Sequence, residues 1–170
     1  MINVSSSRFC AALCLLLLPA LASADGLTVK RNAGGNAPFS SSIWVGDTLY
    51  VSGTVAQASA APDAAPGARP SIAGDTRAQT TSALSSIQKT LREQGLDMRD
   101  VIQMRVYLVG DPSQGGKMDF AGMNTAYSQF FGSKEQPEKP VRTTVQVAAL
   151  AIPGALVEIE VTAVRGSSGK

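Results

Sequence analysis

The residues best suited to chemistry lie near the end of the chain, in KPVRTTVQVAALAIPGALVEIEVTAVR (139–165). Arg142, Glu158 and Glu160 interrupt a pattern that otherwise alternates between apolar and polar residues, as β-strands do. A guanidinium can bind a carboxylate through two parallel hydrogen bonds, and a nearby glutamate can orient or deprotonate a water molecule. The segment therefore supplies an anion-binding group and a candidate general base.

Other kinds of chemistry are excluded by composition. The sequence has no histidine, and its two cysteines, Cys10 and Cys14, lie within residues 1–24. That segment has Arg8 near its start, an apolar run over 9–18 and an Ala-x-Ala pattern ending at Ala24, which is typical of a secretory signal peptide. We predict cleavage after Ala24 and a periplasmic or secreted mature chain.

The mature chain, 25–170, then contains neither cysteine nor histidine. This excludes disulfides, thiolate nucleophiles, Ser-His triads and zinc sites with Cys or His ligands, and we predict no metal and no cofactor. The net charge of +2 gives no basic surface. We therefore predict no nucleic-acid partner and, after cleavage, no membrane partner.

The elements that must position these residues form a single domain with the order β-ββ-α-β-α-ββ. We predict a hairpin over 43–55, helices from Asp75 to Gly95 and over 118–131, and a strand over 101–109. An Ala/Pro-rich stretch at 56–74 is predicted to be a surface loop. This order indicates an α+β fold with two helices on one face of a sheet.

The final segment is predicted to be a strand pair with two kinds of face. Residue parity puts Arg142 with Thr144 and Gln146, and Glu158 with Glu160, while the apolar residues of both strands face the helices. Two interpretations remain open at this point. The charges are either exposed cross-strand pairs on a half-solvated sheet, or they lie in a cleft that a second subunit covers.

Several motifs in the correct order resemble the Rid/YjgF family. PVRTTVQVAAL and AIPGALVEIEVTAV are similar to its C-terminal signature, APFSSS (37–42) to its G-P-Y-S loop, LYVSGTV (49–55) to its S-G strand, and MNTAYSQFF (123–131) to its second helix. Residues 84–101 are similar to its first helix and the turn that follows. The resemblance covers almost all of the mature chain.

The resemblance implies a chorismate-mutase-like fold, a homotrimer with clefts between subunits, and hydrolysis of reactive enamines and imines to 2-keto acids and ammonia. It implies that Arg142 binds the substrate carboxylate and that Glu158, the first glutamate of E-I-E, positions water. It also implies substrate-binding positions at Thr144, Asn124, Ser52, Gly53 and Phe39. The chain departs from the family pattern where Phe39 replaces a tyrosine and Thr54 replaces a glutamine.

Two other functions compete with deaminase activity. A non-catalytic module could bind or sense a small carboxylate in the same clefts, an interpretation favoured by the missing tyrosine hydroxyl and opposed by retention of Arg142 and Glu158. A ribonuclease activity, attributed to some relatives, is disfavoured because RNA binding depends on a basic surface.

Overall fold

The computed structural model describes residues 26–58 and 71–166. The predicted signal peptide lies outside the described residues, as do residues 59–70 of the predicted Ala/Pro-rich loop. Export and cleavage after Ala24 therefore stay predictions. No helix in the described ranges is long and apolar enough to cross a membrane.

The described residues form one six-stranded sheet with two α-helices. The strands are β1 (Val29–Ala33), β2 (Ser40–Val45), β3 (Thr48–Val55), β4 (Val101–Val109), β5 (Val141–Val147) and β6 (Val157–Val164), and the helices are α1 (Thr76–Glu93) and α2 (Phe120–Tyr127). The spatial order is β1-β2-β3-β6-β4-β5. Among the described strands, only β4 and β5 pair in parallel. The predicted α+β architecture is confirmed.

Helix α1 begins and ends close to the predicted positions. The Asp75 side chain accepts a hydrogen bond from the Ala78 N–H at the N-terminus, and Gly95 adopts a φ of +77° just beyond the C-terminus. The apolar stripe of α1 is fully buried and packs on the sheet. The core contains Leu84, Ile87 and Leu91 of α1, Met123 of α2, Met104, Val106 and Leu108 of β4, and Val157, Ile159 and Val161 of β6.

Helix α2 is shorter than the predicted range of 118–131. It ends at Tyr127, and the chain continues in a tight turn in which the Gln129 and Phe130 N–H groups donate to carbonyls three residues earlier. Such i to i+3 bonds tighten the last turn of a helix and end its regular α geometry. The sequence predicted the helix but not its end.

The predicted strand pair at 139–165 is wrong as a hairpin. Strand β6 lies between β3 and β4, and β4 separates it from β5. The burial of the two strands agrees with a central position for β6 and an edge position for β5. Four alternate residues of β6 are buried, as suits a central strand, whereas the valines of β5 include Val141, which is 69% exposed at the sheet edge.

The orientation predicted for β5 is also wrong. In the parallel register Arg142 lies beside Met104, a core residue, so the arginine points to the helix-covered face. The valines Val141 and Val145 point the other way. Alternation shows which residues share a face, but the pairing partner decides which face is buried, and β5 pairs with β4 rather than with β6.

Strand β6 has the predicted orientation, with its apolar residues toward the helices and its glutamates on the opposite side. We call the side away from α1 and α2 the open face. Its residues include Tyr50, Arg105, Tyr107, Val141, Val145, Glu158 and Glu160. Arg142 and Glu158 therefore lie on opposite faces of one sheet.

Candidate active site

Arg142 is held by neutral groups of α2. Its guanidinium donates to the Asn124 Oδ1 at 2.8 Å and contacts the Met123 sulfur at 3.7 Å. It lies 4.4 Å from the centre of the Tyr127 ring and 5.8 Å from that of Phe120. In the part of the chain that the structure describes, no carboxylate forms an ion pair with it. The arginine is thus oriented but not neutralised.

The geometry of α2 explains this grouping. Phe120, Asn124 and Tyr127 are spaced by four and three residues, so they lie on one side of the helix. The Asp119 side chain begins the helix by accepting from the Gly122 N–H at 2.8 Å. One short, capped helix therefore presents an amide and two aromatic rings to a single guanidinium.

The Tyr127 ring stays a neutral phenol beside this charge. Burial raises the pKa of Tyr127, and the positive charge of Arg142 opposes part of that rise. The ring also stacks on Phe131, with centroids 4.9 Å apart. Tyr127 is therefore a fixed aromatic surface on which the guanidinium rests through a cation–π contact.

Thr144 lies two residues beyond Arg142 and points to the same face. Its Oγ1 is buried and has no hydrogen-bond partner among the described residues. Strand β5 is the outer strand of the sheet, so part of its backbone has no neighbouring strand. The structure thus places three predicted site residues, Arg142, Asn124 and Thr144, on one side of the sheet edge.

Glu158 belongs to a second group on the open face. In β6 it lies opposite Val55 of β3 and Tyr107 of β4. A Cβ atom at Gly53 would collide with the Glu158 carboxylate, so the missing side chain of this glycine leaves the room that the carboxylate occupies. The Glu158 side chain receives no hydrogen bond and forms no ion pair within the described ranges.

The remaining predicted residues lie near Gly53. Phe39 is 61% exposed just before β2, and the Ser52 hydroxyl donates to the Ser40 carbonyl at 2.7 Å. Phe39, Ser52, Gly53 and Thr54 line a cavity of about 370 Å³ together with the end of α1. A larger cleft of about 720 Å³ lies between α1 and the chain after α2, and none of the predicted site residues lines it.

The two groups cannot meet within one chain. Arg142 of β5 lies beside Met104 of β4, and Glu158 of β6 lies beside Tyr107 of β4. Arg142 and Glu158 are therefore two strand spacings apart across the sheet and three residues apart along the strands. These steps correspond to about 14 Å between the Cα atoms, and the side chains leave the sheet in opposite directions. A site that contains both residues needs a second copy of the chain.

The candidate site offers a small set of chemical groups. No group of three or more His, Cys, Asp or Glu side chains that could hold a metal ion occurs in residues 26–58 and 71–166. The available groups are a guanidinium, an amide, hydroxyls, aromatic rings and carboxylates. They suit recognition of a carboxylate and proton transfer to or from water.

Sequence reasoning missed two features. The first is that the rings of Tyr127 and Phe120 contact Arg142, although neither residue is among the predicted site residues. Their helical spacing with Asn124 could have placed both beside the arginine. The second feature is the cluster of Arg105, Tyr107 and Glu160, which required the β4–β6 register and had no signal in the sequence.

Comparison with known proteins agrees with this architecture. Residues 30–165 match the family model described as endoribonuclease L-PSP. A RutC family protein of Pyrococcus abyssi is 32% identical over 74% of this chain and 85% of its own length. A protein of Capra hircus named 2-iminobutanoate/2-iminopropanoate deaminase is 33% identical over 76% of this chain and 81% of its own length.

Solved structures show the same fold. A member of the YjgF protein family from Neisseria meningitidis superposes with a TM-score of 0.59 at 26% identity, covering 81% of this chain and 95% of its own. The structure of Escherichia coli TdcF with bound serine has a TM-score of 0.60 at 28% identity, covering 82% and 98%. With its chorismate-mutase-like fold, the chain belongs to the endoribonuclease L-PSP family, also called the Rid/YjgF family.

Proposed function

We propose that this protein is a deaminase that hydrolyses reactive 2-imino acids and their enamine tautomers to 2-keto acids and ammonia. The observation that carries the proposal is Arg142, a positioned guanidinium with no carboxylate partner among the described residues. Relatives about 30% identical carry the name of this activity, which is a statement about those proteins.

Arg142 would bind the substrate carboxylate. A guanidinium has five N–H donors, and one of its nitrogens is engaged by Asn124, which leaves donors for a bidentate contact. The Tyr127 ring supports one side of the guanidinium. Phe120, which is 43% exposed, offers an apolar surface to the rest of the substrate.

Glu158 of a neighbouring copy would activate water. The carboxylate accepts a proton as the water oxygen bonds to C2 of the imine, and it passes this proton to the imine nitrogen, which gives a neutral tetrahedral carbinolamine. The carboxylate then transfers the proton of the new hydroxyl to the amino nitrogen, the C2–N bond breaks, ammonia leaves, and C2 becomes the keto carbon. An enamine substrate first takes up a proton at C3 and becomes the same imine. No step requires a metal or a redox partner.

A homotrimer is part of this proposal. The open face carries exposed apolar side chains, namely Tyr50 at 49%, Val141 at 69% and Val145 at 42% exposure, beside Glu158. Covering them with like surfaces removes apolar area from water and brings the Glu158 side of one copy to the Arg142 edge of another. Light scattering on residues 25–170 should give the mass of three chains, and a monomer would leave the site incomplete.

The direct test uses an imino acid made in place by an amino-acid oxidase. Ammonia release should be faster with the protein than with buffer, while the amount of hydrogen peroxide from the oxidase stays the same. Equal rates with and without the protein, over a series of aliphatic and aromatic amino acids, would refute the proposed activity.

A non-catalytic carboxylate-binding function is the second candidate. One observation favours it: Arg142, Asn124 and the aromatic rings form a complete anion site within one chain, whereas Glu158 is on the opposite face. Under this alternative, calorimetry would detect binding of 2-keto acids while ammonia release stays at the buffer rate. Calorimetry and ammonia release together therefore distinguish the deaminase from the non-catalytic binding function.

The substitution Gly53→Ala tests whether the reaction depends on the position of the Glu158 carboxylate. Gly53 has no positive φ, so alanine fits its backbone, but the new Cβ would push the Glu158 carboxylate aside. We expect kcat/KM for imine hydrolysis to fall about 10- to 100-fold, because small displacements of a reacting group cost that much. The free energy of unfolding should change by less than about 1 kcal/mol, since a flexible side chain moves.

Gly26→Ala is the matched control for this substitution. Gly26 also lacks a positive φ, and a Cβ there would meet nothing within 4 Å. Its kinetics should equal those of the wild type. Full activity in Gly53→Ala would show that the position of the Glu158 carboxylate is irrelevant to the reaction.

A further inference from the structure

A charged cluster next to Glu158 has no place in the mechanism so far. On the open face, Oε1 of Glu160 accepts a hydrogen bond from the Arg105 guanidinium at 3.0 Å and one from the Tyr107 hydroxyl at 2.9 Å. Arg105 and Tyr107 both belong to β4, and Glu160 belongs to β6. A single carboxylate oxygen thus engages two donors from the neighbouring strand.

The same two donors lie within reach of Glu158. Tyr107 is directly opposite Glu158 in the β4–β6 register, and Arg105, directly opposite Glu160, is its diagonal neighbour. Diagonal neighbours on one face of a sheet are about 7–8 Å apart at the backbone, a gap that an arginine side chain spans. Both donors nevertheless bind Glu160, and Glu158 receives no hydrogen bond within the described residues.

We propose that Glu160 is a positioning residue that holds Arg105 and Tyr107 away from Glu158 and so keeps the Glu158 carboxylate free to accept a proton from water. This inference rests on the proposed function for the role of Glu158. The physical reason is that a guanidinium stabilises the ionised form of a carboxylate and occupies its lone pairs. A Glu158 paired with Arg105 would be a weaker base and a poorer acceptor for water.

A merely structural cross-strand pair predicts different behaviour. Arg105 and Glu160 have side chains that are 49% and 32% exposed, and a partly exposed ion pair of this kind contributes little to stability. If the pair only supported the sheet, removing both partners would lower activity at least as much as removing one. If Glu160 instead restrains Arg105, a second substitution that removes Arg105 should restore the activity that is lost with Glu160.

The test compares Glu160→Gln, Arg105→Gln and the double variant in the full-length assembled protein. In Glu160→Gln we expect kcat for imine hydrolysis to fall about tenfold with KM unchanged, because Arg105 turns to the remaining carboxylate. Arg105→Gln alone and the double variant should keep kcat within about threefold of the wild type. A double variant as slow as Glu160→Gln would overturn the proposal.

Two readouts do not depend on activity. The first is a crystal structure of Glu160→Gln, in which an Arg105 nitrogen should lie within 4 Å of a Glu158 oxygen, the usual limit for an ion pair. An Arg105 that stays on residue 160 would overturn the proposal. If the wild-type protein hydrolyses no imine, the proposed function fails, and this structure still decides whether Glu160 restrains Arg105.

The second readout is the Tyr107 phenol. Its hydrogen bond to Glu160 is the main cause that raises the pKa of Tyr107, helped by burial and by the charges of Glu160 and Glu158, and opposed by Arg105. These are the charged groups that face it from β4 and β6. In the Glu158→Gln, Glu160→Gln double variant, which leaves Tyr107 no facing carboxylate to bind, the pKa of Tyr107 should therefore fall relative to the wild type, as followed by ring NMR signals above pH 9. An unchanged titration would contradict the contact on which the proposal depends.

Discussion

Arg142→Ala is expected to lower kcat/KM for hydrolysis of a 2-imino acid by about 10²- to 10³-fold. Truncating one partner of a hydrogen-bonded charge pair in a cleft costs about 2–5 kcal/mol, and each 1.4 kcal/mol is a factor of ten in rate. Alanine removes the guanidinium that Asn124 and Tyr127 hold in place, and no other cation among residues 26–58 and 71–166 contacts Asn124 or the Tyr127 ring. The substrate carboxylate would then enter the cleft without a positive partner.

Arg165→Ala is the matched control for that loss. Arg165 also lies 4.4 Å from an aromatic ring centre, that of Trp44, but it has a carboxylate partner in Asp47 at 3.8 Å. Its removal takes away the same kind of cation–π contact without touching the candidate site, so kcat/KM should be unchanged. Arg142→Lys should recover part of the activity, because a lysine restores the charge but not the bidentate fork.

Circular dichroism on the Arg142 variants separates binding from folding. The arginine lies on the edge strand, and its side chain makes one hydrogen bond, one sulfur contact and two ring contacts to the described residues, so the fold should persist after truncation. A folded Arg142→Ala protein with wild-type kcat/KM would remove the basis of the carboxylate site. Loss of both spectrum and activity in Arg142→Ala alone would assign the residue to structure.

The sequence predicted the elements well because their signals are local. The capping residue Asp75, the stripe of Leu84, Ile87 and Leu91, and the terminal Gly95 each act within a few residues, and α1 follows them closely. The alternation of β6 predicted which of its residues are buried. Such patterns record the environment of one segment and require no knowledge of its neighbours.

The sequence did not show which strands lie next to each other in the sheet. Strands β5 and β6 follow each other in the chain with a short connection, which favours a hairpin, yet β4 lies between them. The crossover through α2 makes β5 parallel to β4 and turns Arg142 toward α2. The family resemblance named Arg142 and Glu158 as candidates, but it did not show that the two residues face opposite ways.

Because Arg142 and Glu158 lie on opposite faces of the sheet, variants of the two residues should complement each other between copies of the chain. Glu158→Gln alone should lower kcat about 10²- to 10⁴-fold, because glutamine has a similar shape but cannot take the proton from water. Arg142→Ala and Glu158→Gln should each be nearly inactive as pure assemblies. Within a mixed ring of subunits, however, an interface can take the intact Arg142 of one copy and the intact Glu158 of its neighbour.

Co-expression of Arg142→Ala and Glu158→Gln chains should therefore restore activity in the mixed trimers to about one third of the wild-type value per site, because a ring with two chains of one kind and one of the other has one interface of three with both residues intact. Two different affinity tags allow purification of the mixed assemblies. The control mixes Arg142→Ala with the double variant that carries both substitutions, in which no interface has an intact pair. Mixed assemblies that stay inactive would show that Arg142 and Glu158 do not meet across copies, since each chain keeps them about 14 Å apart on opposite faces of its sheet.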